Sequence, residues 1–354
     1  MERHIGQGRR IVICGGGVIG AATAYFLSRR GAEAIVIERH EVAGSASGKS
    51  GGFLALDWCR GTPLDRLARR SFRLHAELAD ALGNPWGFRR LDTYGGHAAA
   101  GKTNGRPAPL PWLSDRVTIT GQLGGLETTA LVEARAFTTG LMRAAEALGA
   151  EVKHGTVAGL VRGGVTLEGG ETVEGDAVVI AMGPWSNFEG LPQVYGLKGH
   201  SLVFKTGAAI PAEALFLEVR EAGGEVLTPE IFPRADGTVW ACAISSTATL
   251  PPDPADVAAD AGAHARLEAL CRSLAPALAD APIVARQACF RPVTEDGLPL
   301  IGRVPGMDGV YVATGHSVWG MLNAPATGEA MAGLILDGMS GHVDLAPFAP
   351  GRLQ

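Results

Sequence analysis

Three glycines at a fixed interval, with one acid beyond them, carry the first recognisable chemistry in this sequence. Gly15-x-Gly17-x-x-Gly20 follows a short apolar run at residues 11–14 and precedes a stretch of good helix formers at 21–30, which Gly31 stops. In that setting the first glycine permits a tight turn, the second lets a pyrophosphate reach the backbone, and the third lets helix and strand pack closely. The helix start then offers free N–H groups and the positive end of its dipole to phosphates. A second apolar run at 34–38 ends on Glu38, where a carboxylate can accept both hydroxyls of a ribose and repels a 2′-phosphate. Strand, turn, helix, strand and terminal acid together predict a dinucleotide site that disfavours NADP. The fingerprint alone does not separate NAD from FAD. A second glycine-rich segment, Gly44-Ser-Ala-Ser-Gly48-Lys49-Ser50, has the look of a P-loop. Its glycines stand too close together, no strand leads directly into it, and Gly51-Gly52 replace the following helix, so ATP hydrolysis is not expected.

The elements that must position these groups alternate along the chain. Amphipathic periodicity predicts helices over residues 64–82, 134–148, 255–274 and about 321–336. Short strands are expected at 152–157, 165–167, 177–181 and 310–313, and loops with short strands at 98–125. From 199 to 246, β-branched runs separated by turns predict a mostly antiparallel sheet. No repeat and no long linker divides the chain. The expected fold is therefore α/β with an α+β substrate domain: a Rossmann-type cofactor domain from 1–85, 134–190 and 297–354, and a mostly antiparallel substrate domain from 86–133 and 191–296.

Composition narrows the class. The chain has 354 residues, 46% hydrophobic and 19% charged, which suits an ordinary globular enzyme and excludes wholesale disorder. Its 50 glycines show no collagen-like period and signal tight turns and close backbone approaches. A net charge of −5 without a basic stripe argues against a nucleic-acid partner. Five scattered cysteines without a C-x-x-C pair fit a reducing compartment and predict neither a disulfide framework nor a metal site. No apolar run is long enough for a membrane span. The N-terminus enters a strand directly after Arg9-Arg10 without a signal-peptide pattern, so a cytoplasmic location is the default expectation.

Four further segments resemble the D-amino-acid-oxidase-like family of FAD-dependent oxidoreductases, which includes glycine and sarcosine oxidases. Ala46-Ser47-Gly48-Lys49-Ser50-Gly51-Gly52-Phe53 is similar to that family's second flavin loop. Val178-Val-Ile-Ala181-Met-Gly183-Pro-Trp185 is similar to its strand ending in A-x-G-x-W. Arg291-Pro-Val-Thr-Glu-Asp-Gly-Leu-Pro-Leu-Ile-Gly302 is similar to its R-P-x-T-x-D-G turn, and Gly315-His316-Ser317-Val-Trp319-Gly320-Met321-Leu322-Asn-Ala-Pro-Ala-Thr-Gly328 to its closing helix start. The segments fall in the family's order and reach both ends of the chain. The Gly-His-Ser-x-Trp-Gly version, with the loop running on to Trp58, is most similar to a poorly characterised branch, one eukaryotic member of which is associated with protein sorting.

The resemblance implies FAD, with contacts from Gly15, Gly17, Val18, Ile19, Gly20, Glu38, Arg39, Ala46, Ser47, Ser50, Gly51, Gly52, Ala181, Gly183, Trp185 and residues 315–322. Val157 matches a position whose backbone meets the adenine, although a core valine describes its side chain equally well. A reduced flavin is negative at N1 and the C2 carbonyl, where a helix start at 315–322 would place backbone amides. His316 is expected to touch flavin through its backbone, or only to cap or pack the last helix. Arg291 matches the residue that holds the substrate carboxylate, a task suited to its planar fork. Cys289 shares a strand face with Arg291 and matches the position of covalent flavin attachment in sarcosine-oxidase-type members. A free thiol beside non-covalent FAD is expected here. Trp240 falls where those enzymes carry an oxygen-activating lysine, and can pack over the flavin or line the sheet.

The leading expectation is oxidation of the C–N bond of a small amino acid, N-substituted glycine or secondary amine, with hydride passing to flavin N5 and O2 as the final acceptor. A dehydrogenase that passes electrons to a quinone or carrier, and a flavin-bearing scaffold with little catalysis, are the alternatives.

Overall fold

The computed structural model describes residues 8–98, 108–207, 210–221 and 223–353. Parts of three expected segments therefore lie outside the described residues: the N-terminal approach to the first strand, residues 99–107 of the loop region beginning at Ala98, and residues 208–209 and 222 of the 199–246 sheet.

The apolar run at the start forms the strand Arg10–Cys14, buried but for its first residue, because it occupies the middle of a six-stranded sheet. Its neighbours are Glu33–Glu38 on one side and Ala177–Ile180 on the other, both parallel to it. Glu151–His154 extends the first side in parallel, Val310–Thr314 the second, and Leu300–Arg303 closes that edge antiparallel. Near-continuous apolar sequence in these strands fits a sheet covered on both faces. Cys14 is level with both Ile37 and Ile180, so Gly15, Glu38 and Ala181 emerge together at the carboxyl edge. This is the crevice where a doubly wound sheet binds its ligand.

Helices Val18–Ser28 and Gly320–Asp337 are apolar almost all round and pack closely together. A Cβ at Gly328 would lie 2.6 Å from the backbone of Ala22, so only glycine permits that approach. The last helix contains Pro325, which removes one N–H from the ladder and frees the Met321 carbonyl. His75, from the helix Asp65–Leu82, donates through Nε2 to Met321 O (3.0 Å) and Leu322 O (3.2 Å), and Ala326 N donates to Ser71 Oγ (3.0 Å). Two side chains of one helix thus satisfy the break in the other. Burial holds His75 down at about 4, so it stays a neutral donor.

The second sheet has eight strands and is antiparallel except where Glu213–Arg220 runs parallel to Asp92–Ala98. Ile283–Val293, Tyr195–Lys205, Thr238–Ser246 and Glu230–Pro233 follow one another across it and face the first sheet's crevice.

Local expectations fail in three places. The helix expected over 255–274 begins only at Ala263. Pro254 starts a single 3-10 turn capped by Asp253, and Gly262 enters the true helix in the left-handed region (φ 75°). The strand expected at 152–157 divides into Glu151–His154 and Val157–Val161, which join different sheets. The flavin-loop segment expected to be irregular contains one helical turn, Ala46–Lys49. Among the described residues no helix is long and apolar enough to cross a membrane.

Candidate active site

The crevice opens into a cavity of about 470 Å3 that runs from the glycine fingerprint to the face of the antiparallel sheet, within the range of small-molecule and cofactor sites. At its first end Gly15 takes φ 107°, and a Cβ there would lie 2.5 Å from Ala181 O. Gly20 packs the helix against the turn, where a Cβ would meet Gly15 O at 1.9 Å. Gly17 differs: its Cβ would meet only Ser47 Oγ, at 3.2 Å, on the cavity side. Val18 and Ile19 line the same space, and no acid stands in the first turn to repel a phosphate.

Glu38 is fixed by two backbone donors, Gly16 N to Oε2 (2.7 Å) and His40 N to Oε1 (3.0 Å). A carboxylate has about four acceptor sites, so capacity remains for ribose hydroxyls. Arg39, Val157 and Trp185 surround this end. A proline-rich loop closes over it: Arg39 Nη1 donates to Pro252 O (3.0 Å), Trp185 Nε1 to Pro251 O (2.8 Å), and His40 contacts Asp253 (2.5 Å). Ala181 and Gly183 border the cavity from the neighbouring strand end.

The second loop is fastened at both sides. Ser47 Oγ accepts from Val18 N (2.9 Å), tying the loop to the helix start. Trp240 Nε1 donates to Lys49 O (3.0 Å), Arg234 Nη2 to Ser50 O (2.9 Å), and Lys49 Nζ to Ala288 O (3.0 Å), tying it to the sheet. Ala46, Ser47, Ser50, Gly51 and Gly52 line the cavity as a result. A Cβ at Gly51 would lie 2.6 Å from the Phe232 ring, and Gly52 takes φ 82° against Val132 O.

His316 borders the cavity but is almost fully buried, with Nε2 against Thr327 Oγ1 (3.1 Å). Burial pushes it down to about 3, so it remains neutral across the working range of an enzyme. A pH–rate limb between about 5 and 9 would then have to come from another group. Its Nδ1 is buried without a partner among the described residues, as expected of an atom awaiting a ligand. Ser317, Trp319, Gly320 and Met321 complete that wall. Three of the expected contact residues do not line the cavity: Gly20, which packs against the glycine turn, Leu322 and Gly315. Leu322 is fully buried in the hydrophobic core, and Gly315 serves the turn, packing on Thr294.

At the far end, Cys289 and Arg291 both face the cavity from one strand, as their spacing requires. Arg291 lies over Gly199, where a Cβ would stand in ordinary contact 3.8 Å from its Nη2, and Nη2 donates to Ser245 Oγ (2.7 Å). Its Nε is buried without a partner among the described residues. Burial pushes the Cys289 thiol up, against the opposing pull of Lys49 and Arg291. Trp240 is a wall residue stacked on Phe232 (centroids 5.4 Å, 10°), its indole N–H committed to Lys49 O. That commitment gives it no free group for catalysis. With Phe53, Trp58 and Phe216 it forms a box of five rings.

Sequence reasoning missed Glu230, Cys242, Ser245, Phe216 and Phe232, all of which line this end. Alternation within strands puts Glu230 with Phe232, and Trp240 with Cys242, but the register that joins them is not written locally.

A long cavity with an open glycine at a helix start, an anchored carboxylate at one end and an orphaned imidazole nitrogen in the wall fits FAD. Comparison with known proteins agrees. The family model described as FAD dependent oxidoreductase matches residues 10–334. An oxidoreductase of Schizosaccharomyces pombe is 28% identical over 378 residues, covering 95% of this chain and 97% of that one. The glycine oxidase of Pseudomonas aeruginosa is 27% identical, covering 97% of this chain and 99% of the enzyme. The crystal structure of glycine oxidase from Geobacillus kaustophilus superposes with a TM-score of 0.77 at 27% identity, covering 97% and 98% of the two chains. The chain belongs to the DAO family of FAD-dependent oxidoreductases.

Proposed function

We propose that this oxidoreductase removes two electrons from the C–N bond of an amino acid or N-substituted glycine and delivers them to O2. The observation that carries the reading is Arg291: its side chain lines the same cavity as the dinucleotide cradle. Ser245 holds one arm of the guanidinium, which leaves the rest of the fork for a carboxylate. The five-ring box favours a substrate with an apolar substituent over glycine itself. When bound, FAD supplies a two-electron acceptor. Arg291 fixes the carboxylate, the rings exclude water, and the Cα–H bond is thereby aligned for cleavage. The product is an imine, which water hydrolyses to an oxo acid and the amine.

In this reading Gly15, Gly17, Val18, Ile19 and Glu38 hold the adenosine diphosphate half. Residues 46–52, 183–185 and 316–321 hold the remainder. The cofactor unit is then 1–85, 134–190 and 297–354, which contains every strand of the six-stranded sheet, and the substrate unit is 86–133 and 191–296, which contains the eight-stranded one.

A panel of glycine, N-methylglycine, proline and phenylalanine, in both chiral forms where they exist, tests the reading by flavin bleaching without oxygen. Bleaching by at least one of them is expected, and none by the corresponding amines without a carboxylate. On admitting air, peroxide should equal the imine product formed. Bleaching that reverses only with an added quinone favours the dehydrogenase, and a panel without bleaching removes the amino-acid reading.

The flavin is expected to be held without a bond to Cys289. Desolvation pushes its thiol up and so disfavours the thiolate, which is the reactive form. Acid precipitation should leave yellow supernatant; colour in the pellet that Cys289→Ala releases would show a covalent link.

A further inference from the structure

The far wall of the cavity carries two opposite charges, each held by a neutral neighbour and not by the other. Arg291 bonds Ser245, while Glu230 Oε2 accepts only from the Cys242 thiol, at 3.7 Å, among the described residues. A carboxylate with about four acceptor sites is left largely unsatisfied by one weak sulfur donor. Glu230 lies in the strand Glu230–Pro233, opposite Phe216 on one side and Cys242 on the other, and its side chain borders the cavity beside the aromatic box. An α-amino acid carries the same two charges one carbon apart.

We propose that Glu230 receives the substrate's ammonium group and takes its proton, while Arg291 holds the carboxylate. The inference rests on the amino-acid reading above. A C–N bond gives up an electron pair readily only when its nitrogen is neutral, yet a free amino acid near neutral pH is an ammonium. In the transfer one N–H bond breaks and one O–H bond forms on Glu230. The +1 ammonium and −1 carboxylate become a neutral amine and a neutral acid, and no charge leaves the complex.

The surroundings suit that task. Burial pushes the Glu230 carboxyl up from its ordinary value, and Arg291 and the Cys242 bond pull it back. Among the described residues the charged and titratable groups facing it are Arg291 from the strand Ile283–Val293 and Cys242 from Thr238–Ser246. Burial holds the Cys242 thiol protonated, and Phe216 across the other strand carries no charge. A simple counterion to Arg291 is the competing role, and it makes a different prediction. Removing a counterion changes the affinity for every carboxylate, with or without an amine.

α-Methylphenylalanine is the probe, because it has no Cα–H and cannot be oxidised; 2-methyl-3-phenylpropionate is its amine-free twin. Binding to the flavin-loaded enzyme is measured by calorimetry in buffers of different ionisation heat, which counts protons released. Wild type should bind the amine probe near neutral pH with almost no proton release. Glu230→Gln should release about one proton and bind about a hundred-fold more weakly two pH units below the amine's pKa, recovering about tenfold per unit as pH rises. The twin should bind Glu230→Gln at least as well as wild type, and flavin content should be unchanged, which shows the variant is folded. Equal affinity and proton count for the amine probe in both proteins would overturn the role of Glu230 alone. A wild type that binds the twin but not the amine probe, or neither, would overturn the amino-acid reading and this inference with it.

Discussion

Gly17→Val should yield a folded, colourless protein. The three fingerprint glycines are not equivalent, and the difference makes the test clean. At Gly15 a Cβ would lie 2.5 Å from Ala181 O on a backbone with φ 107°, and at Gly20 it would lie 1.9 Å from Gly15 O. Substitution at either disturbs the fold itself. Gly17 has φ −73°, open to any residue, and its Cβ would meet only the Ser47 hydroxyl at 3.2 Å. The valine methyls then occupy the space a pyrophosphate needs beside the helix start. Flavin absorbance of the purified variant should fall to background while its far-UV spectrum matches that of wild type. Its thermal midpoint should fall close to that of wild type stripped of flavin, because the cofactor's linkage contribution, about 2.7 kcal/mol at a hundred times Kd, is the main loss, while the Ser47 hydroxyl must shift only slightly. Gly15→Val should instead be poorly expressed or unfolded. A Gly17→Val protein that stays yellow would place the phosphates elsewhere.

What the sequence made legible was what short-range physics determines. The strand Arg10–Cys14, its glycine turn, the helix Val18–Ser28 and the strand Glu33–Glu38 are contiguous, and each boundary carries its own signal. The face shared by Cys289 and Arg291 followed from the two-residue period of a strand. The helix expected from residue 255 was misread because alanines and aspartates continue a helical composition through residues 255–262, while Gly262 takes a left-handed turn that composition does not show.

The substrate end was harder for a physical reason. Glu230, Phe216 and Phe232 are brought against Trp240 and Cys242 by antiparallel pairing, Glu230 with Cys242 and Phe232 with Trp240. A bulge between His200 and Ser201 then sets which residues of Thr238–Ser246 face Arg291. Register of this kind depends on turn geometry and on burial over the whole sheet, so one strand read alone cannot supply it. Ser245 illustrates the point. It is an unremarkable serine in sequence, yet the shift aligns it with Gly199 and so under the guanidinium of Arg291.

Arg291→Ala should raise KM for the amino-acid substrate about ten- to a hundred-fold or more, the range expected when a charge-assisted pair worth roughly 1.5–3 kcal/mol is lost. The clamp acts in the ground state and the transition state alike, so KM should carry most of the loss. A smaller fall in kcat is expected, because the carboxylate also aligns the Cα–H bond. Arg291→Lys should recover only part of the effect. An ammonium has three donors, but they splay tetrahedrally from one nitrogen, so it cannot hold Ser245 Oγ and also set two parallel bonds to a carboxylate, as the planar fork can. Flavin content should not change, since the dinucleotide cradle around Gly17 and Glu38 lies at the opposite end of the cavity. The substrate-side control is the corresponding amine without a carboxylate, which should be equally poor with wild type and variant. Glu230 supplies an internal check. With Arg291 removed, its carboxylate loses the cation that pulls its pKa down, so the acid limb of the pH–rate profile should move to higher pH in Arg291→Ala. A variant with normal KM, or one that loses its flavin, would make Arg291 a structural residue and remove the carboxylate from the substrate.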